Sequence, residues 1–320
     1  MNDPKTILVT GCAGFIGSNF VQHFKKNFSK TKIIGIDDFS TGRKDALDPS
    51  ITFYHGSILD EKLVKKIFST HKPEYVFHFA ALAKVSFSVQ QPRHTTEVNI
   101  LGIVTLLEAA KNYGAKRFIF SSSSSVYGGA KKLPTKESES SPDPKSPYAL
   151  QKYTGESFCR IFSQLFEMES VCLRYFNVFG PGQYGDSAYS AVISAWLEAL
   201  YFPGEKPAFV EGDGKQTRDF CYVNNVISAN ILAMQSKHVL KGEVFNIAYG
   251  GQITLNEVKK LIEKNLKIKL NLEKHPQRLG DIKHSCADIS KAKKILGYNP
   301  KIDFEEGLEK TIEWFKSRKK

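Results

Sequence analysis

Tyr148 and Lys152 stand four residues apart in the run Tyr148-Ala149-Leu150-Gln151-Lys152. Residues so spaced share one face of a helix. A tyrosine beside an ammonium can act as a proton-transfer base. A free phenol titrates near ~10, and reaching ~7 takes about 4 kcal/mol of preference for the phenolate. A neighbouring positive charge supplies preference of that sign. Upstream, five serines from Ser121 to Ser125 precede Val126-Tyr127-Gly128. A hydroxyl from that run can bond the same substrate oxygen and relay its proton. Near the N-terminus, Gly11, Gly14 and Gly17 punctuate a turn. Glycines there permit a tight turn and bring backbone N–H groups close to a pyrophosphate.

These residues need a frame to position them. Strands are expected at 5–10, 32–37, 52–55, 75–79, 117–121 and 171–176. Helices are expected at about 15–28, 61–69, 97–113 and 148–166. The stretch 133–147, rich in Pro, Ser and charge, reads as a loop. This βαβα order predicts an α/β fold, a doubly wound parallel sheet with helices on both faces. Beyond Gly180 the pattern is less regular, with Gly and Pro punctuation. Residues 1–176, with a returning segment at about 218–248, are expected to form a Rossmann domain. Residues 177–320 are expected mainly to form a smaller α/β substrate domain.

In that frame the glycine turn falls between the first strand and the first helix, where a dinucleotide phosphate sits. Asp37 lies 20 residues beyond Gly17, at the tip of the second strand. A carboxylate there accepts both ribose hydroxyls and repels a 2′-phosphate, so NAD is expected over NADP. Arg43 and Lys44 lie close by, but the acid holds the strand tip.

Bulk properties fit an ordinary globular enzyme. The chain has 320 residues, 41% of them hydrophobic and 24% charged. No run approaches the roughly 18 apolar residues of a membrane helix. The N-terminus is too short and polar before its first strand to read as a signal peptide, so a cytoplasmic location is expected. The net charge is +12. The lysines are spread widely, which favours a solvated surface over a nucleic-acid face, and suits an anionic ligand. The five cysteines form no CxxC pair, so neither a disulfide framework nor a metal site is expected.

The Gly-x-x-Gly-x-x-Gly spacing resembles the extended short-chain dehydrogenase/reductase family. Further segments follow that pattern: His78-Phe79-Ala80-Ala81, Asn99, the serine run, and Tyr148 with Lys152. The resemblance implies catalysis by Tyr148, Lys152 and Ser123. It implies cofactor contacts from Gly11, Gly14, Phe15, Ile16, Gly17, Asp37, Asp38, Ser40, Gly42, Ile58, Ala81, Asn99, Tyr148, Lys152 and Tyr175. The second half is similar to the nucleotide-sugar epimerase branch. Leu173 to Gly180 resembles the strand that presents Asn177 to a diphosphate. Gly212 to Phe220 resembles the phosphate segment, with Arg218 as ligand. Arg278-Leu279-Gly280-Asp281 resembles the motif in which the arginine grips phosphate and the acid holds ribose. Lys84, Ser124, Ser125 and Ser285 complete the implied substrate contacts.

Related sugar dehydratases carry Thr-Asp-Glu where Ser123, Ser124 and Ser125 stand, and decarboxylating relatives keep a glutamate at the place of Ser125. Epimerisation needs one base and one hydride acceptor, so the serines favour it. A chain that keeps NAD as a sensor without catalysis would be expected to lack Tyr148 or Lys152, and both are present. The implied reaction is inversion of C4 of a UDP-sugar through a 4-keto intermediate. Ser285, four residues after Asp281, lines the sugar pocket by resemblance. A small residue there admits a 2-acetamido group, which favours UDP-GlcNAc/UDP-GalNAc or their uronic acids over UDP-glucose, UDP-galactose or UDP-glucuronate. The run from Asp281 to Asp288 is similar to bacterial UDP-N-acetylglucosamine 4-epimerases of polysaccharide pathways. A homodimer is implied as well, with the helices near 97–113 and 148–166 pairing across a two-fold axis.

Overall fold

The computed structural model describes residues 3–129, 132–185, 191–203, 207–276 and 282–319. The first half runs β1 (Thr6–Thr10), α1 (Phe15–Asn27), β2 (Lys32–Asp37), β3 (Thr52–His55), α2 (Glu61–His71), β4 (Tyr75–His78), two short helices α3 (Val85–Gln90) and α4 (Pro92–Thr96), α5 (Gly102–Asn112), β5 (Arg117–Ser123), α6 (Pro147–Leu165) and β6 (Glu169–Tyr175). The second half runs β7 (Val178–Phe179), α7 (Val192–Tyr201), β8 (Phe209–Glu211), β9 (Thr217–Arg218), β10 (Cys221–Tyr222), α8 (Val223–Gln235), β11 (Lys241–Ile247), β12 (Ile253–Thr254), α9 (Leu255–Leu266), β13 (Glu273–His275), α10 (Ser290–Leu296) and α11 (Phe304–Arg318).

Among the described residues, seven strands form one parallel sheet in the order β11-β6-β5-β4-β1-β2-β3. The chain reverses its direction of travel between β1 and β4. That switch point opens a crevice at the carboxyl ends of the strands, where ligands bind in such sheets. The central strands are buried on both faces and read as near-continuous apolar runs. Ile7, Val9, Phe77 and Ile119 face α1 and α8, packing with Phe20, Phe24 and Val226. Leu8, Val76, Phe118 and Phe120 face the other layer, packing with Val64, Leu107 and Cys159. Each fully buried Phe contributes roughly 1.5–3 kcal/mol.

The seventh strand returns from the second half. β11 pairs in parallel with β6, from Lys241 opposite Ser170 to Ile247 opposite Tyr175. Arg117 on β5 ties the preceding helix down, donating to the carbonyls of Ala233 (2.5 Å) and Ser236 (3.0 Å) at the end of α8 and pairing with Glu169. A cation there meets the negative end of the helix dipole. The rest of the second half uses short pairings: β7 with β10 and β8 with β13 in parallel, β9 with β12 antiparallel.

α6, the helix of Tyr148 and Lys152, starts as its sequence dictates. Ser146 accepts the N–H of Ala149 (3.2 Å), and Pro147 occupies the first turn, where its missing N–H is harmless. Below the catalytic turn, Glu156 accepts two bonds from the Arg174 guanidinium (2.8 and 2.7 Å) and a third from Ser122. Both charged side chains are 4% exposed, so the pair holds only because its oxygens are fully satisfied.

One expected element is built differently. The helix expected over 97–113 begins with a single π-helical turn, Glu97–Leu101, before α5. The wider turn places Asn99 inward, 4% exposed, where its amide reaches two other segments. Such turns recur where a side chain must be re-aimed for function.

Candidate active site

The glycine turn is set by contact as well as by conformation. Gly11 has φ +67°, and a β-carbon on it would lie 2.7 Å from the Ala80 nitrogen. A β-carbon on Gly17 would lie 2.1 Å from the Gly11 oxygen. Any side chain at either position drives the turn apart. α1 starts at Phe15 with Gly14 at its N-cap, with no side-chain cap and no acid in its first turn. Its leading N–H groups are thus left for an anion.

Asp37 ends β2 beside this turn. One carboxylate oxygen accepts the N–H of Ala13 (2.9 Å) and the other that of Phe39 (2.8 Å). Burial pushes its carboxyl above the ordinary value, and the two N–H bonds oppose that shift. Each oxygen keeps a lone pair for a ribose hydroxyl. Gly42 backs the carboxylate, since a β-carbon there would lie 2.7 Å from it. The cleft is lined by Gly11, Gly14, Asp37, Asp38, Ser40, Ile58 and Ala81, all read from the sequence. Phe15, Ile16 and Gly17 form the helix turn behind it. Ile36, Thr41, Gly56 and Val98 also line it and were missed, having no motif of their own. The residues fit NAD: a bare helix end for the pyrophosphate and an acid for the ribose. Arg43, considered for a 2′-phosphate, has its guanidinium 4.0 Å from the Tyr184 ring and 3.3 Å from Asp45.

The catalytic candidates meet where β5 ends against α6. The Ser123 side chain neighbours the Tyr148 phenol and accepts the N–H of Ser125 (3.2 Å). The Lys152 ammonium donates to the Ser121 carbonyl (2.7 Å) and lies 5.9 Å from the Tyr148 ring centre. Burial lowers Lys152 to about 8 and pushes Tyr148 up to about 12, with the Ser123 hydroxyl pulling the phenol back. The sequence expectation of a phenol brought towards neutrality is therefore not met by Lys152 alone. The ammonium sits on a carbonyl rather than on the phenol oxygen, and the dry setting that keeps water out also disfavours the phenolate. His78, at the end of β4, bonds the Thr10 hydroxyl (2.8 Å) and is held neutral, pushed down to about 3 by burial and the Lys152 charge. Tyr175 sits behind this group, buried, with its hydroxyl 3.1 Å from the Ser121 hydroxyl and bonded to Asn230.

A polar chain fixes α6 to the cofactor loop. Asn99 accepts the N–H of Leu82 (2.9 Å) and donates to its carbonyl (3.1 Å). It also donates to Gln151 (2.8 Å), which donates in turn to the hydroxyls of Thr95 (2.9 Å) and Thr96 (3.1 Å). Ser88 accepts the N–H of Tyr148 itself (3.1 Å). Gln151 and Ser88 were not singled out from sequence. The one available signal was a polar residue inside the Tyr-x-x-x-Lys turn.

On the substrate side, the Asn177 amide donates to Ser285 (3.3 Å) and to the Asp219 carbonyl (3.4 Å). Arg218 donates to the Thr217 carbonyl (3.0 Å), and Ser285 donates its N–H to the same carbonyl (3.2 Å). Asn177, Arg218 and Ser285 thus come together. Asp219, also missed, organises them. Its carboxylate, 1% exposed, accepts N–H groups from Tyr249, Gly250 and Ala287 at 3.2, 3.2 and 3.0 Å, and burial raises it to about 6. Lys84 caps α3 and is half-buried. Ser124 and Ser125 begin the turn that follows β5. Among the buried side-chain nitrogen and oxygen atoms of the described residues, the Ser125 hydroxyl oxygen alone has no hydrogen-bond partner. Arg278 and Asp281 lie outside the described residues.

A Tyr-x-x-x-Lys helix packed on the end of β5, with a dinucleotide-type glycine turn after β1 of the same parallel sheet, marks a short-chain dehydrogenase/reductase. Within that class the sequence matches the model of the NAD dependent epimerase/dehydratase family over residues 7–248, and the chain belongs to that family. It is 35% identical to a putative UDP-glucose 4-epimerase of Methanocaldococcus jannaschii, over 97% of this chain and 98% of that protein. Its structure is similar to that of Thermotoga maritima UDP-glucose 4-epimerase with UDP-glucose, with a TM-score of 0.92 and 39% identity over 98% of this chain and 99% of that one. It is also similar to UDP-N-acetylglucosamine 4-epimerase from Methanobrevibacter ruminantium in complex with UDP-N-acetylmuramic acid, with a TM-score of 0.91 and 39% identity over 99% and 100% of the two chains.

The reactive pair, phenolate with ammonium, is a singly protonated state. Its population grows as pH rises towards about 8, where Lys152 titrates, and then levels off. Turnover is expected to climb with pH and break near that value. Lys152→Met, which keeps the stem without the charge, should lower kcat by about 10²–10⁴-fold and remove the break. A break that persists in that variant would assign it to another group.

Proposed function

We propose that this chain interconverts the C4 epimers of a UDP-sugar, with NAD as cofactor, and that its preferred sugar carries a 2-acetamido group. The carrying observation is the meeting of Ser123, Tyr148 and Lys152 where β5 ends against α6, with serines and no acid from 123 to 125. Tyr148 takes the proton of the 4-hydroxyl while Ser123 holds the same oxygen. NAD, held by the glycine turn and Asp37, would supply the hydride acceptor and, in its oxidised form, a positive charge that favours the phenolate. The 4-keto sugar turns over on its nucleotide tether, so that the hydride would return to the opposite face of C4 while Tyr148 gives the proton back to the 4-oxygen. Asn177 and Arg218 hold the diphosphate throughout, and by resemblance Arg278 also grips phosphate while Asp281 holds the ribose. That remote grip supplies binding energy for the swing without release. The unpartnered Ser125 hydroxyl is a further candidate to meet the sugar, since buried polar atoms normally have a partner.

The small side chain of Ser285, beside Asn177, supports the acetamido reading. An aromatic ring there would fill the space that group needs. Purified protein with NAD would be given UDP-GlcNAc, UDP-glucose and UDP-GlcNAcA separately, with the anomeric and H4 signals followed by NMR. UDP-GlcNAc is expected to turn over fastest. Ser285→Tyr is expected to slow it about tenfold or more and to spare UDP-glucose. No epimer from any of the three, with NAD bound, would overturn the epimerase reading for these sugars.

We further propose a homodimer. Leu150, Ile161 and Leu165 recur along one face of α6 and are 52%, 43% and 69% exposed, with Leu101 (55%) beside α5. An apolar stripe of this kind on a surface helix marks an interface, and two-fold pairing covers it on both copies. Light scattering should give twice the chain mass, falling to one chain mass in Leu165→Asp. A monomeric wild type at micromolar concentration would refute the pairing.

A further inference from the structure

Tyr184 lies far from the acid–base group, yet it joins three parts of the chain. One ring face meets the Arg43 guanidinium at 4.0 Å. The ring also meets the Arg318 guanidinium of α11 at 4.3 Å and stands edge-on to Trp314 of the same helix at 5.1 Å. Its hydroxyl donates to Asp45 (3.3 Å). Arg318 is itself fixed by a fork of bonds to Glu198 on α7 (2.7 and 3.0 Å). Arg43 is fixed by its backbone, whose N–H donates to the Ala13 carbonyl of the glycine turn (3.0 Å).

This arrangement bears on the cofactor cleft. The loop that carries Arg43 also carries Ser40 and Thr41, which line the cleft, and Gly42, which backs Asp37. The segment that carries Tyr184 continues from Asn177, on the substrate side. It is seated on α1 as well, where Asn19 donates to the Pro181 carbonyl (2.8 Å). For the ribose loop to move off the cleft, the Arg43–Tyr184 contact must break. That guanidinium–aromatic contact is favourable and resists the motion, and the second one, from Arg318, holds the ring in place to make it.

We propose that Tyr184, clasped between Arg43 and Arg318, is a strap that fastens the ribose loop to the C-terminal helix and sets how long NAD stays bound. The proposal rests on the reading of the cleft as the NAD site. An epimerase regenerates its NAD in each cycle, so slow release is useful to it and a strap of this kind has a purpose.

The test measures NAD release directly. Wild type, Tyr184→Ala, Tyr184→Phe and Arg43→Met are loaded with NAD, freed of excess by gel filtration, and diluted. Released NAD is quantified over time by chromatography. Tyr184→Ala should release NAD about tenfold or more faster than wild type, and Tyr184→Phe, which keeps the ring, should match wild type. Arg43→Met should also release faster, and combining it with Tyr184→Ala should add little, because both remove one contact. If Tyr184→Ala fails to fold, Arg43→Met carries the test alone, since that side chain is 44% exposed. Wild-type release rates in both Tyr184→Ala and Arg43→Met, in folded protein, would overturn the strap. Wild type that takes up no NAD would overturn the cofactor reading itself, a separable failure.

Discussion

A buried ammonium held on a strand carbonyl is the constraint around which the catalytic edge is built. Lys152 is 4% exposed and donates to the Ser121 oxygen at 2.7 Å. Taking such a charge out of water is unfavourable, and the lowering of its pKa to about 8 records that. The surroundings offset part of it. The Phe120 ring lies 4.9 Å from the ammonium, and the Glu156 carboxylate lies one turn further along α6. The strand end must therefore be rigid. Ser121 is bonded to Tyr175, Ser122 to Glu156, and Ser123 to the N–H of Ser125, so three successive serines each have a separate anchor.

The same device recurs at the two ligand clefts, with the sign reversed. Asp37 and Asp219 are buried carboxylates held by backbone N–H groups rather than by cations. Each gathers loops that are distant in sequence. Asp37 joins the glycine turn to the ribose loop. Asp219 joins the Arg218 strand to segments at 249–250 and 287. Fixed amide dipoles stabilise an anion without adding a mobile charge beside a phosphate site. Arg218 and the bare end of α1 are, among the described residues, the groups proposed to meet the anionic ligands.

The chemistry and the sheet were legible because they leave local traces. Glycines forced by close contact, such as Gly17 over Gly11, must stand at fixed spacing. The apolar runs of central parallel strands, such as Ile7 to Val9, stand out against polar helices. What was not legible depends on single long-range bonds. Asp219 binds Ala287 across 68 residues, and Gln151 binds Asn99 across 52, with no periodic signal for either. The π-helical turn at Asn99 reads as ordinary helix, because it changes the bonding and not the pattern. The surroundings of the phenol were legible only in part, for a related reason. The spacing of Tyr148 and Lys152 showed their shared face but not the Ser121 carbonyl that takes up the ammonium. The short two-stranded pairings of the second half are too brief to show a period of two.

The most direct measurement follows the hydrogen at C4. A UDP-sugar carrying deuterium at that carbon is epimerised in ordinary water, and the product is read by mass spectrometry and NMR. Tyr148 is proposed to move the proton of the 4-hydroxyl, and the hydrogen on carbon is expected to leave and return as hydride. The product should then keep its deuterium at C4, with no hydrogen from solvent. Loss of the label to water in step with inversion would mean that a base removes C4 hydrogen as a proton, and would contradict the mechanism assigned to Tyr148, Ser123 and Lys152.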